Sequence, residues 1–139
     1  WLLGTGTGLA PFFFILQDFE TWNKYKQINL VYSVRTQDEL AYVDRIQEIA
    51  ETFGEGYTGF KFIPIITRDP EAVLHHRLPI LIENGELERA AGLQLNPETS
   101  HVMLCGNPEM VEDTKEALKA RGLTMNRRGE GNIAVENYW

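Results

Sequence analysis

The residues best suited to chemistry lie near the beginning of the chain, where glycines and threonines alternate from Gly4 to Gly8. The apolar run Trp1-Leu2-Leu3 precedes them, and Pro11 opens an apolar stretch after them. This order predicts the end of a buried strand, a turn and the first residue of a helix. Glycines let backbone N–H groups approach a phosphate closely, and the positive end of a helix dipole would lie behind them. The segment therefore predicts a loop that binds a phosphorylated nucleotide.

The loop departs from two well-defined phosphate-binding motifs. If Gly6 and Gly8 are the first pair of a Rossmann fingerprint, its third glycine belongs at position 11, where the chain has Pro11. No Gly-Lys-Ser/Thr sequence is present, so the loop is not a P-loop. A tight turn with a purely structural role is therefore the alternative for these residues.

Arginines follow two predicted strands. Arg35 follows Ile28–Val34, Arg68 follows Phe60–Thr67, and Arg77 comes soon afterwards. In nucleotide-binding folds a carboxylate after the second strand holds the ribose of NAD, whereas an arginine accommodates the 2′-phosphate of NADP. Because a guanidinium pairs bidentately with phosphate, arginines meeting at one point would favour NADP. The alternative is that they are solvated strand ends in an acidic chain.

A second strand-to-helix turn is expected at Cys105-Gly106-Asn107-Pro108. Its glycine permits close approach of a ligand, and the amides at the helix start could receive one. A cysteine at a buried strand end is most often inert packing, and no His–carboxylate pair stands nearby to activate it. The spacing of the histidines predicts no metal site.

The carboxy-terminal residues are unusual because two aromatic residues, Tyr138 and Trp139, end the chain. One interpretation is a last strand, Ile133 to Tyr138, whose end packs on the domain. The other is that an aromatic ring at this terminus stacks on a flat cofactor.

Composition narrows the class of protein. The chain has 139 residues, a net charge of −7 and one cysteine. We expect one domain (1–139), a reducing cytoplasmic compartment, and neither nucleic acid nor membrane as partner. Because the sequence opens inside a predicted strand, we expect a fragment whose missing part lies upstream.

The elements expected to position these residues alternate between strands and helices. Five apolar strands without strict alternation predict an α/β fold, a three-layer doubly wound sheet, mostly parallel, with helices on both faces. Ligands of such sheets bind at the carboxyl ends of the strands. The predicted helices include one from Pro11 to about Trp22 and one that a capping box at Thr36–Glu39 begins.

Four segments together resemble ferredoxin–NADP(+) reductase, especially its bacterial flavodoxin/ferredoxin reductase branch. They are the Gly4–Phe12 loop, the Thr67-Arg68 pair, the Leu104–Pro108 turn and the terminus Glu136–Trp139. The likeness runs in order from the first residue to the last. It implies the fold of the NADP-binding domain of these reductases.

The resemblance also implies site residues. The Gly/Thr loop would hold the pyrophosphate of NADP(H), the three arginines would surround its 2′-phosphate, and the second turn would line the nicotinamide. The cofactor-binding residues implied are Thr5, Gly6, Thr7, Gly8, Arg35, Thr67, Arg68, Arg77, Cys105, Gly106, Asn107, Pro108, Tyr138 and Trp139. The residues implied for the reaction itself are Glu136, Cys105 and Tyr138.

The reaction implied is hydride transfer between NADPH and FAD, with single electrons passing to ferredoxin or flavodoxin. Glu136 would orient the nicotinamide and the flavin, Tyr138 would stack on the flavin, and Trp139 would fold against FAD. The family's FAD-binding barrel, with its Arg-x-Tyr-Ser-type motif, is absent from this sequence. We therefore expect this chain to bind NADP(H), to be inactive alone, and to belong to an enzyme that is monomeric when intact.

Two alternatives remain. One is another flavin reductase, of the flavohaemoglobin or phenol-hydroxylase type. The other is a stand-alone nucleotide-binding sensor without redox activity.

Overall fold

The computed structural model describes residues 1–6, 9–40, 43–54, 59–127 and 130–136. Its strands are β1 Leu2–Thr5, β2 Ile28–Val34, β3 Phe60–Ile66, β4 Val102–Cys105 and β5 Ile133–Glu136. They form one sheet, in which every neighbouring pair is parallel and the order is β3-β2-β1-β4-β5. The predicted α/β fold with a parallel sheet is confirmed.

Helices cover both faces of the sheet, as the three-layer prediction requires. They are α1 Ala10–Leu16, α2 Phe19–Lys24, α3 Val43–Phe53, α4 Leu78–Glu83, α5 Glu86–Ala91 and α6 Pro108–Ala120. One apolar cluster contains Leu3, Val31 and Leu104 from the strands and residues of α4, α5 and α6. The other contains Leu2 and Leu30 with residues of α1, α2 and α3.

The single helix predicted from Pro11 to about Trp22 is wrong, because the chain forms two helices there. Asp18 interrupts it with an extended backbone, and its side chain accepts a hydrogen bond from the N–H of Glu20 at 3.0 Å. Asp18 is therefore the N-cap of α2. The indole N–H of Trp22 donates to the carbonyl of Leu16 at 2.8 Å and holds the two helices together.

The predicted capping box is also wrong. Thr36 makes no side-chain capping bond, Gln37–Glu39 form a short 3₁₀ turn, and α3 begins only at Val43. A capping box needs the carboxylate of Glu39 to reach back to the backbone N–H of Thr36. Glu39 instead lies 3.2 Å from the Nε of Arg35, so this carboxylate pairs with an arginine.

The proline in β3 is tolerated because β3 is an edge strand. Pro64 lies beside Tyr32 of β2, and the pairing of the two strands runs without a bulge from Ile28 and Phe60 to Val34 and Ile66. The sequence predicts that Pro64 marks either a bulge or an edge strand, and the structure shows an edge strand.

Candidate nucleotide-binding site

The candidate site lies where the strands end. Because all five strands are parallel, their carboxyl ends share one edge of the sheet. The Gly/Thr loop follows β1 at this edge, Arg35 follows β2, Thr67-Arg68 follows β3 and Gly106 follows β4. The topology therefore brings together the segments that the sequence singled out separately.

The Gly/Thr loop leaves the sheet at Gly6. The N–H of Gly6 donates to the carbonyl of Ser33 at 3.2 Å, and the hydroxyl of Tyr32 donates to the carbonyl of Gly6 at 2.6 Å. Gly6 has φ +57°, a left-handed conformation that favours glycine. A Cβ placed on Gly6 would meet no described atom within 4 Å, so the loop borders open space. Thr7 and Gly8 lie outside the described residues.

The turn after β4 packs tightly against Thr5, at the beginning of the Gly/Thr loop. Gly106 has φ +143°, and a Cβ on it would overlap the Oγ1 of Thr5 and lie 2.9 Å from the carbonyl oxygen of Thr5. The N–H of Asn107 donates to Thr5 Oγ1 at 3.3 Å. Only a glycine allows β1 and β4 to end this close together. The turn thus requires a glycine at position 106, as the sequence predicts. The group that approaches this glycine most closely is Thr5 of the protein itself.

Asn107 and Pro108 start α6 as the sequence predicts. The side-chain oxygen of Asn107 accepts hydrogen bonds from the N–H groups of Glu109 at 2.9 Å and Met110 at 3.4 Å. Pro108 follows at the first helical position, where its missing N–H costs nothing.

Two of the three arginines are held side by side. Beyond the ends of β2 and β3, the N–H of Thr67 donates to Val34 O at 2.9 Å and the N–H of Arg68 donates to Arg35 O at 2.9 Å. The hydroxyl of Thr67 also donates to Val34 O at 3.3 Å. Both arginines are exposed, so each guanidinium is accessible to an anion.

Arg77 lies in another environment. It precedes α4, and its guanidinium is 4.0 Å from the carboxylate of Asp113 on α6, at one end of a groove between these helices. Its participation in the arginine cluster stays a prediction.

The residues expected near the nicotinamide are only partly described. Cys105 is buried in the apolar cluster that faces α1 to α3, which fits a packing role. Glu136 takes part in β5 through its backbone, beside Cys105 in the register. Tyr138 and Trp139 lie outside the described residues, so their roles stay predictions.

Sequence reasoning missed Tyr32, which it counted only as a strand residue. Tyr32 is buried, yet its hydroxyl bonds the loop. A signal was present: a tyrosine near the end of a buried strand needs a hydrogen-bond partner for its hydroxyl, and ligands of parallel sheets bind at the carboxyl ends of the strands.

Among the helices in the described parts of the chain, none has the length and apolar character that a membrane span requires. Within the same ranges, no three His, Cys, Asp or Glu side chains form a group that would hold a metal ion.

Comparison with known proteins defines the class. Residues 2–116 match the model of the oxidoreductase NAD-binding domain, and the chain belongs to this family. Its relatives include the flavodoxin/ferredoxin–NADP reductase of Escherichia coli (strain K12), 42% identical over 142 residues. The reductase of the same name from Buchnera aphidicola subsp. Schizaphis graminum is 41% identical over 143 residues. The alignments cover 100% of this chain and 56% and 54% of those proteins, respectively.

A solved structure gives the same result. The crystal structure of a ferredoxin NADP+ reductase from Neisseria gonorrhoeae with bound FAD and NADP superposes with a TM-score of 0.86 at 38% identity. The match covers 99% of this chain and 55% of that one. The chain therefore spans about half the length of the reductases it matches, and the resemblance inferred from its motifs is confirmed.

Proposed function

We propose that this chain is the NADP(H)-binding half of a ferredoxin/flavodoxin–NADP(+) reductase. The observation that carries the proposal is the backbone bond that sets Arg68 beside Arg35, at the sheet edge where the Gly/Thr loop opens to solvent. The identity to named reductases over the whole chain supports it.

In the proposed complex, NADP(H) lies along the carboxyl edge of the sheet. The loop from Thr5 to Gly8 holds the pyrophosphate, and the exposed guanidinium groups of Arg35 and Arg68 bind the 2′-phosphate. Arg35 is paired with Glu39 in the free chain, so phosphate binding competes with this exposed ion pair. Such pairs contribute about 0.2–1 kcal/mol, less than the roughly 1.5–3 kcal/mol of a charge-assisted hydrogen bond. The competition therefore does not prevent binding.

The nicotinamide would lie at the turn after β4. Gly106 removes side-chain bulk there, and the buried Cys105 forms the apolar wall behind it. Asn107 and Pro108 fix the backbone of this turn, and Arg77 would complete the phosphate cluster by leaving Asp113. The chain's own contribution is to hold the nucleotide in one orientation, which is how a protein accelerates hydride transfer between cofactors.

The flavin would be held mainly by another domain, of the kind that accounts for the remaining length of the relatives. FAD supplies the step from a two-electron hydride to single electrons for ferredoxin or flavodoxin. From this chain we propose Glu136 to orient the nicotinamide against the flavin, with Tyr138 and Trp139 covering the flavin ring. We propose that residues 1–139 form one NADP(H)-binding domain of a cytoplasmic, monomeric enzyme. The presence of one cysteine in the sequence, which excludes a disulfide within the chain, suits a reducing compartment.

The test compares NADP(+), NAD(+) and 2′-AMP by calorimetry. We expect the chain to bind NADP(+) at least about tenfold more tightly than NAD(+), because one well-formed charge-assisted bond to the 2′-phosphate suffices. Arg68→Ala should weaken NADP(+) and 2′-AMP about tenfold and leave NAD(+) within about twofold.

The matched control is Lys119→Ala, which removes one positive charge from the last turn of α6. Because α6 starts at the site, this residue lies towards the opposite edge of the sheet. The control should change none of the three affinities. Equal affinities of the unmodified chain for NADP(+) and NAD(+) would refute the 2′-phosphate assignment.

A further inference from the structure

We propose that Tyr32 is a positioning residue for the nucleotide pyrophosphate. Its hydroxyl holds the carbonyl of Gly6 towards the protein and thereby keeps the loop in a conformation that accepts phosphate. The inference rests on the proposed function, because it assigns to the Gly/Thr loop the contact with the pyrophosphate.

The first observation is that the β2 strand anchors both backbone groups of Gly6. The carbonyl of Ser33 accepts from Gly6 N–H at 3.2 Å, and the hydroxyl of Tyr32 donates to Gly6 C=O at 2.6 Å. The first bond prolongs the pairing of β1 with β2. The second is made by a side chain just where the left-handed φ of Gly6 takes the chain out of the sheet.

The second observation concerns space. In the sheet register Tyr32 lies beside Gly4 of β1, and its phenol reaches Gly6, two residues further along the chain. The ring of Tyr32 belongs to the apolar cluster that faces α1 to α3 and is 4% exposed. Packing alone would be served equally well by phenylalanine, so the hydroxyl requires another explanation.

The chemical consequence concerns the carbonyl group of Gly6. Because the hydroxyl of Tyr32 holds this carbonyl oxygen, the oxygen does not turn towards the open space beside Gly6. Without the hydroxyl, this peptide group is free to rotate and present its carbonyl oxygen to the site. A phosphate would then meet a negative dipole where it needs a donor.

The test uses Tyr32→Phe, which keeps the ring and removes only the hydroxyl. We expect NADP(+) and NAD(+), which share the pyrophosphate, to bind about five- to tenfold more weakly by an equal factor. The affinity for 2′-AMP, which has no pyrophosphate, should stay within about twofold, and so should the NADP(+)/NAD(+) ratio. This pattern is the opposite of that for Arg68→Ala, which affects the 2′-phosphate alone.

Tyr25→Phe is the matched control. Tyr25 stacks edge-on against His101, which precedes β4 and so lies towards the amino-terminal edge of the sheet. Its hydroxyl should be without effect on the three affinities. Thermal unfolding checks that each variant is folded at the assay temperature. Amide hydrogen exchange gives a second readout: in Tyr32→Phe the loop should exchange faster, while the centre of β2 stays protected.

The proposal is overturned if Tyr32→Phe leaves both dinucleotides within twofold of the unmodified chain. It is equally overturned if 2′-AMP weakens by the same factor as the dinucleotides, because that marks a general structural loss. Equal binding of NADP(+) and NAD(+) by the unmodified chain refutes the 2′-phosphate assignment and leaves the Tyr32 test intact. Failure of the unmodified chain to bind either dinucleotide refutes both proposals.

Discussion

Replacing Gly106 with alanine should destabilise the fold severely, because this glycine lets the ends of β1 and β4 meet. The added Cβ would overlap Thr5 Oγ1 and lie 2.9 Å and 3.1 Å from the backbone oxygen and nitrogen of Thr5. Overfilling a packed site costs roughly 1–3 kcal/mol. The φ of +143° adds backbone strain of roughly 1–3 kcal/mol for a residue with a side chain. We expect Gly106→Ala to lose about 2–6 kcal/mol of unfolding free energy.

Gly85→Ala is the control that separates strain from collision. Gly85 also has a positive φ, +80°, but its nearest neighbour for a Cβ is the flexible end of Arg89, at 3.5 Å. This variant carries only the left-handed strain, roughly 1–2 kcal/mol. Urea unfolding of the two variants should therefore differ by about 2 kcal/mol, with equal m-values.

Thr5→Ala in the Gly106→Ala background tests which atoms collide. Removing Oγ1 relieves the overlap with the side chain but leaves the two close backbone contacts, so part of the lost stability should return. The reasoning is refuted if Gly106→Ala and Gly85→Ala lose the same stability, or if Thr5→Ala recovers none of it.

A further prediction concerns stability away from the site. Glu88 is 7% exposed, accepts from Leu95 N–H at 2.8 Å and pairs with Arg121, so Glu88→Ala should lower the urea unfolding free energy by about 2–4 kcal/mol. Glu88→Gln should recover part of this loss, neither change should alter nucleotide affinity, and a loss below about 1 kcal/mol would contradict the burial argument.

The sheet could be predicted because the amino-acid composition of its strands reflects their burial. Every residue of β2, from Ile28 to Val34, is buried, and a strand covered on both faces lacks the strict alternation of apolar and polar residues. Five strand-like segments separated by helical patterns predict a parallel sheet, in which Arg35 and Arg68 lie at the same edge. The fold class thus predicts the edge that the two arginines share, while the pairing of β2 with β3 sets them side by side.

The two wrong predictions, the single helix and the capping box, occurred where a second local interaction competed with the predicted one. The apolar spacing from Phe12 to Trp22 suits one helix, yet Asp18 offers a capping carboxylate that the chain uses to start a second. Glu39 has the spacing of a capping box, but a charged arginine four residues earlier is a stronger partner than a backbone N–H.

The environment of Arg77 depends on contacts that its sequence neighbourhood does not specify. No sequence pattern fixes how the segment between β3 and α4 folds. Its course depends on tertiary packing: Leu74 O accepts from Ile66 N–H, and α4 packs on α6. Arg77 then faces Asp113, a partner far away in the sequence.

The last four residues of the β2 region connect the two halves of the candidate site. Tyr32 and Ser33 bond Gly6, Val34 accepts from Thr67, and Arg35 accepts from Arg68. Consecutive residues of one strand therefore hold the loop on one side and the arginine pair on the other. Because β2 lies between β1 and β3, and neighbouring strands are about 4.8 Å apart, its carboxyl end sets the spacing between the loop and the arginine pair. In the proposed complex, the loop binds what NADP and NAD share, and Arg35 with Arg68 binds what distinguishes them, so affinity and specificity are set on opposite sides of the same strand end.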